Sequence, residues 1–406
     1  MEKIFTERAH LMCPNMGFGI ALTVRAEFDE RRIRQSFLAL AQAHPFLRAI
    51  IGYDQQKNEY YYDVTDSSKI SVYISKDEVS SVRSSEVMDM YEGMSSEDFD
   101  LQNEGLLRAT VWRSGYKTCF LLVFHHLLTD GRGALGLCEE LAELYAGGTA
   151  PKPVEEKLIS SADDLPKGSK LPMISKMLVN KANKSWIKEG QRPPSLEQYH
   201  RFASSYMQKD KISHFIYKTE KDEVKKLTSE CRDNGITIND LLVARMMIKD
   251  KTDKVTVACD LRDRLPVYKQ GAMGNYSTAF TVSTKKKSND EFARAREVHD
   301  CVQQIISKPA ELFLVLQCYA ALDPGVLDAA FMASQGAFDS KAAAFIGKSF
   351  FNYSAPEGYC LTNLGKLVSG TISSALFIPP ASPAMKKTCG VLTVNGEMRI
   401  CTSERV

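Results

Sequence analysis

Spaced by its apolar positions, the chain reads as strands interrupted by helices. Ile20, Leu22, Val24 and Ala26 fall on every second residue, the period of a half-buried strand. Asp29 is placed to cap a helix whose buried stripe is Ile33, Phe37, Leu40 and Ala41. His44-Pro45 predicts the end of that helix, because proline disfavours the helical conformation of the residue before it. Residues 46–51 then read as extended, 53–63 as a hairpin, and the acidic stretch 76–104 as a helix with a loop. Two strands, 106–112 and 119–124, are predicted around Ser114-Gly115. The second ends in an unbroken branched and aromatic run, Phe120 to Phe124, as a buried strand does. His125 and His126 follow directly, and Asp130-Gly131 come after three more residues. Ala134, Leu137, Cys138, Leu141 and Tyr145 then share one helix face.

Residues 147–170 have the Gly, Pro, Ser and charge content of a linker. No pattern places 171–200 or 310–350. From 212 the alternation resumes with a strand over 212–218 and a helix with Val224, Leu227 and Cys231 on one face, ended by Gly235. Thr237 caps a second helix, with Asp240 near its positive end. Strands are predicted over 254–261, 275–282 and 358–362, the last running into Asn363-Leu364-Gly365. Ser288 and Glu291 read as a capping box for a helix through Ile306. Asn395-Gly396 between apolar runs predicts a hairpin.

At 406 residues the chain exceeds what one hydrophobic core supports, so two α/β lobes are expected, 1–170 and 171–406. Hydrophobic residues make up 44% and charged residues 25%, as in ordinary globular proteins. A formal net charge of +2 gives no global reason to expect nucleic acid or an acidic membrane as partner. The ten cysteines show neither CxxC pairs nor metal-ligand spacing, so Cys138, Cys231 and Cys259 read as reduced, buried thiols. With no apolar signal core near the start and no run of about 18 apolar residues, a cytoplasmic protein without a membrane span is expected. Lysines 285–287 read as a solvated turn, with binding of a phosphate-bearing substrate as the alternative.

The histidine pair admits several readings. Adjacent side chains on a strand face opposite ways, so one imidazole would face the core and the other a cleft. Gly131, Gly133 and Gly136 spell GxGxxG, the fingerprint of a dinucleotide-dependent oxidoreductase. Yet six residues separate the apolar run from the first glycine, and the expected acidic residue would fall in the linker. His125 and Asp130 also have the spacing of glycerolipid acyltransferases, but the membrane segment of those enzymes is missing. Two histidines and an aspartate suit a divalent metal, but no further ligand cluster stands nearby, so no metal is assigned.

HHLLTDG, residues 125–131, resembles the HHxxxDG signature of the CoA-dependent acyltransferase superfamily. That group includes chloramphenicol acetyltransferase, condensation domains, polyketide-associated acyltransferases and bacterial alcohol acetyltransferases. Other segments are similar in the family's order: IRQSFLALAQAHPFLRAII (33–51), ITINDLLVARM (236–246), ACDLRDRLP with GNYSTAFTV (258–282) and LTNLGKL (361–367). The resemblance implies two chloramphenicol-acetyltransferase-like lobes with mixed sheets, helices packed on one side and an active-site channel between the lobes. It implies acyl transfer from a CoA or carrier-protein thioester to a hydroxyl or amine. In that chemistry His126 is the general base, and His125 is structural. Asp130 pairs with Arg262 to hold the motif loop, and Gly131 allows close backbone approach. Tyr276, Ser277, Thr362 and Asn363 are the candidate oxyanion or substrate contacts. No permanently bound cofactor is implied; acyl-CoA or acyl-phosphopantetheine serves as co-substrate, with a carrier protein as a candidate partner and a monomer as the expected state. Arg132 and Gly133 depart from the residues usual in condensation domains, which favours a free-standing acetyltransferase-like enzyme. The alternative in the same family is a non-catalytic protein that only binds a thioester or peptide.

Overall fold

Two large mixed sheets carry the fold in this computed structural model, which describes residues 2–79, 81–285 and 288–406. Lys286 and Lys287 of the lysine run lie outside the described residues. The first sheet has five strands in the order Ile372–Ile378, Phe18–Val24, Lys117–Phe124, Leu107–Ser114 and Ser71–Ile74. All but the last pairing are antiparallel. Helices Glu30–Ala43 and Gly131–Tyr145 lie on one face, where Phe37 and Tyr145 meet the Phe120 ring edge-on. Asp29 caps the first of these helices by accepting from the Arg32 N–H, as its position predicts.

The second sheet has six strands in the order Ser277–Ser283, Lys254–Asp260, Gly358–Leu367, Met385–Val394, Glu397–Arg405 and Ile212–Thr219. Strand alternation decides what each face does. Val255, Val257 and Leu361 pack with the helices Lys221–Asp233, Ile238–Lys249 and Glu291–Ile306, whereas Thr256, Ala258 and Thr362 line a cavity. Helices therefore cover one side of this sheet and open space the other. The hairpin at Asn395-Gly396 forms as predicted, both residues having positive φ. A third, small sheet joins Glu2–Lys3, Glu59–Val64 and Ala49–Asp54.

The two-lobe α/β class implied by the motif is the one observed, and the lobes interleave. Strand Ile372–Ile378 lies beyond residue 171, yet it completes the first sheet beside Phe18–Val24. Arg399, on the second sheet, donates to the Ala375 carbonyl at 2.7 Å and ties the borrowed strand back.

Several local expectations change. Residues 46–51 are not wholly extended: Pro45–Arg48 is a 3-10 turn, because proline's fixed φ suits a first helical position, and the strand is Ala49–Asp54. The helix Glu291–Ile306 is capped by Asp290, whose carboxylate accepts from two backbone N–H groups, not by Ser288. Residues 171–200 hold the helix Met173–Lys188 and the start of Leu196–Met207. The stretch 310–350 falls in four helices, Pro309–Leu312, Leu314–Ala321, Pro324–Ser334 and Lys341–Ser349.

The stretch 147–170 is packed, not loose. Ile159 and Leu165 are buried against Tyr276, and Glu156 reaches His44. Both His44 nitrogens donate at 2.6 Å, one to Glu156 and one to Glu140, which only the imidazolium can do. Burial alone would lower the His44 pKa, but the two carboxylates override it and hold it up at about 9. The stability this clamp contributes is fully present below pH 6.5 and lost as pH rises through 9. Unfolding free energies from denaturant titrations should be lower at pH 10 than at pH 6 by on the order of 2 kcal/mol, a gap that shrinks in His44→Gln.

Candidate active site

The strand Lys117–Phe124 delivers the histidine pair to the cavity wall and separates the two rings. His125 turns inward: its ring lies edge-on to Phe99, and its Nδ1 accepts from the Leu127 N–H at 3.1 Å. Burial, with the neighbouring His126, pushes its pKa down to about 3, so it stays neutral and structural. His126 turns the other way, into a cavity of about 570 Å³ between the two sheets. Phe18 and Phe377 from the first sheet and Ser277, Thr256 and Thr362 from the second line the same space.

Asn275 fixes which His126 nitrogen is free. Its amide Nδ2 donates to the His126 carbonyl at 2.7 Å, so its Oδ1 faces Nδ1 of the ring at 2.9 Å. An amide oxygen only accepts; Nδ1 therefore carries the proton and Nε2 keeps its lone pair. Burial lowers the His126 pKa, with Asn275 and the Asp130 charge acting against it, and the net direction is down. A neutral imidazole at ordinary pH follows.

The N-terminal segment adds groups that periodicity did not reveal. The His10 ring stacks on His126 with centroids 4.4 Å apart and planes 22° from parallel. Burial and the neighbouring His126 hold its pKa well down, so the stack is neutral. Glu7 is buried behind it and accepts from the Asn275 N–H at 3.3 Å. Arg8 and Asp328 pin this segment through two 2.7 Å bonds, both side chains being buried. Thr6 also lines the cavity, beside the buried Glu7. Residues 7–10 lie in a single short helical turn, too brief to show a pattern.

Asp130 sits at the hub of the motif loop, 3% exposed. Arg262 donates to both its oxygens, at 2.8 and 3.0 Å, and the N–H groups of Gly133 and Tyr276 donate to it as well. The pair joins the N-terminal motif to the second sheet. Gly133 makes the approach feasible: a Cβ there would stand 2.1 Å from the Thr129 Oγ1 and 3.2 Å from the Arg262 Nη2. Gly131 opens the helix Gly131–Tyr145 at the cavity wall, where a Cβ would meet the Leu364 side chain at 2.6 Å. All three glycines of the GxGxxG spelling lie inside this helix, so no glycine loop is available to cradle a dinucleotide.

Ser277, Thr362 and Asn363 line the cavity. Tyr276 does not: its side chain is buried on the opposite side, its hydroxyl donating to the Lys157 and Met273 carbonyls. The alternation that brings Asn275 and Ser277 to the cavity turns the residue between them away. Tyr276 serves the site from behind: its N–H donates to Asp130, and its ring lies 5.2 Å from the Arg262 guanidinium. Cys259, read as a buried thiol, is half-buried and also lines the cavity.

The family model for the condensation domain matches residues 18–254, more than half of the chain. No curated protein sequence matches it. Among solved structures, trichothecene 15-O-acetyltransferase from Fusarium sporotrichioides is similar over 100% of this chain and 90% of its own, at 12% identity and a TM-score of 0.62. The first condensation domain of the calcium-dependent antibiotic synthetase, in complex with a substrate analogue, aligns over 100% and 90%, at 10% identity and 0.60. Polyketide synthase associated protein 5 from Mycobacterium tuberculosis aligns over 99% and 91%, at 14% identity and 0.58. Identities this low speak to fold alone. Together with the sequence match, a two-lobed fold with the motif histidine at the channel and its aspartate braced from the second sheet means that this chain belongs to the condensation-domain family.

Proposed function

We propose that the chain transfers an acyl group from a thioester to a hydroxyl or amine, with His126 as general base. The observation that carries this reading is the free Nε2 lone pair of His126, left by the Asn275 contact on Nδ1 at the wall of an open cavity. A neutral alcohol is a weak nucleophile, and a base within hydrogen-bond reach must take its proton as the new bond forms. In the proposed sequence Nε2 accepts the acceptor's proton while its oxygen or nitrogen attacks the thioester carbonyl carbon. The carbonyl π electrons move to oxygen. When they return, the C–S bond breaks and the imidazolium gives its proton to the departing sulfur. Ser277, Thr362 and Asn363 are proposed as oxyanion donors, each deletion costing about 100- to 1000-fold in rate. Thr6 is a fourth polar residue on the cavity wall. Acyl-CoA or acyl-phosphopantetheine supplies the thioester, the latter on a carrier protein.

A screen for thiol release from acyl-CoAs against alcohols and amines tests the reading. An acyl-CoA that binds tightly and releases no thiol with any acceptor would instead mark a non-catalytic binder.

The pH dependence has a fixed sign. His126 must be neutral, and its pKa lies below 6.5, so the rate should be flat near neutrality and fall only on further acidification. A profile whose acid limb sits above pH 6.5 would contradict this. Asn275→Leu should lower the rate about 100-fold through loss of ring orientation, with little change in melting temperature. Asn275→Asp should instead move the acid limb upward, because an adjacent carboxylate favours the imidazolium.

A further inference from the structure

The helix Met173–Lys188 presents an unusual outer face. Its inner stripe, Val179, Ala182 and Trp186, packs with the helix Pro324–Ser334. Its outer residues are Met173, Ile174, Lys176, Met177, Asn180, Lys181, Lys184, Ile187 and Lys188, all exposed. Exposure of Met173, Ile174 and Met177 is 79%, 75% and 66%. The face carries four lysines and no acidic residue. The flanking Glu189 accepts from Ser340, the Ala342 N–H and Ser185. Among the described residues none of the four lysines is in an ion pair; Lys181 lies 5.9 Å over the Phe345 ring.

We propose that this helix rests on an anionic lipid surface. Single exposed aliphatic side chains are ordinary, but a group of them on one face marks an interaction site. Aliphatic side chains with lysines beside them, on a helix that spans nothing, are the composition of an in-plane interfacial helix. No single helix among the described residues is long and apolar enough to cross a membrane, so the contact is peripheral. A protein partner fits less well, because protein interfaces are depleted of lysine and enriched in aromatic anchors, of which this face has none. The charge is local: a chain with net charge +2 concentrates four uncompensated positive groups on one helix.

The position links this face to the cavity. Asn183 donates to the Ala321 carbonyl at 2.8 Å and accepts from the Asp323 N–H at 3.0 Å, gripping the end of helix Leu314–Ala321. Val315, Leu316 and Tyr319 of that helix line the cavity. A membrane held on the outer face would stand one helix away from an apolar part of the cavity wall.

Sedimentation of the full chain with vesicles tests this. Phosphatidylcholine vesicles containing a third phosphatidylglycerol should pull down the protein at least tenfold better than phosphatidylcholine alone, and less well as salt rises. Each lysine near such a surface strengthens binding roughly fivefold, so replacing Lys176, Lys181, Lys184 and Lys188 by glutamine should weaken it about 100-fold or more. Met173→Ser with Ile174→Ser and Met177→Ser should reduce the binding that persists at high salt. All seven side chains are exposed and outside the cavity, so melting temperature and thiol release with soluble substrates should not change. Wild type that ignores anionic vesicles, or a glutamine variant that binds as wild type does, would overturn the proposal. So would wild type that binds only a soluble acidic protein, which would give the face to a protein partner.

Discussion

His126→Ala should lower thiol release by about 100- to 10,000-fold while the protein melts at nearly the wild-type temperature. The size follows from what the imidazole does. In the proposed mechanism it takes a proton from the acceptor in one step and returns it to sulfur in the next. His10 stacks on the ring at 4.4 Å, but it belongs to a segment fixed by the Arg8–Asp328 pair. The small effect on stability follows from position: His126 is half-buried at a cavity wall, and removing it enlarges a space that is already open. His125→Ala gives the contrasting result. That ring is buried against Phe99 and accepts from the Leu127 N–H, so its loss should destabilise the fold by about 2–4 kcal/mol. Equal thiol release by wild type and His126→Ala would remove the mechanism.

Arg262→Ala should produce the largest loss of stability, about 3–5 kcal/mol, together with a loss of rate. Asp130 accepts four hydrogen bonds at 3% exposure, two of them from this guanidinium. Without Arg262 a carboxylate is left buried with only backbone donors. The loop between His126 and the helix Gly131–Tyr145 then loses its tie to the second sheet, and a shift of about 1 Å at the base costs on the order of 100-fold in rate. Arg262→Lys should keep the charge but lose the two-pronged geometry, and so fall between wild type and alanine. Asp130→Asn combined with Arg262→Ala should be less destabilising than the sum of the two single changes, because neither charge is then left unpaired. Strict additivity, measured by denaturant unfolding, would show that the pair is not coupled.

Much of this site was legible in residue order. The apolar run before His125-His126 marks a buried strand, and an abrupt change to polar residues marks where it opens. Likeness to HHxxxDG assigned opposite roles to the two histidines and matched Asp130 with Arg262, which lies 132 residues away. Tyr276 and Asn275 show where such reading stops. They are neighbours, and one residue of phase decides that Asn275 holds His126 while the Tyr276 side chain leaves the cavity. A strand boundary is not read to one residue from composition, and the strand here begins at Ser277.

The amino-acid order alone determined the strands and helices that carry a clear apolar period or cap, because periods, caps and breakers act over a few residues, but it left the helices of 171–200 and 310–350 unplaced. It also determined which side chains are capable of proton transfer. Only the tertiary structure decided the surroundings of His126: the His10 stack, the Glu7–Asn275 contact and the packing of 147–170 onto Tyr276. Each joins residues more than 100 positions apart, and their closeness comes from the burial of both sheets together. No local spacing carries that information.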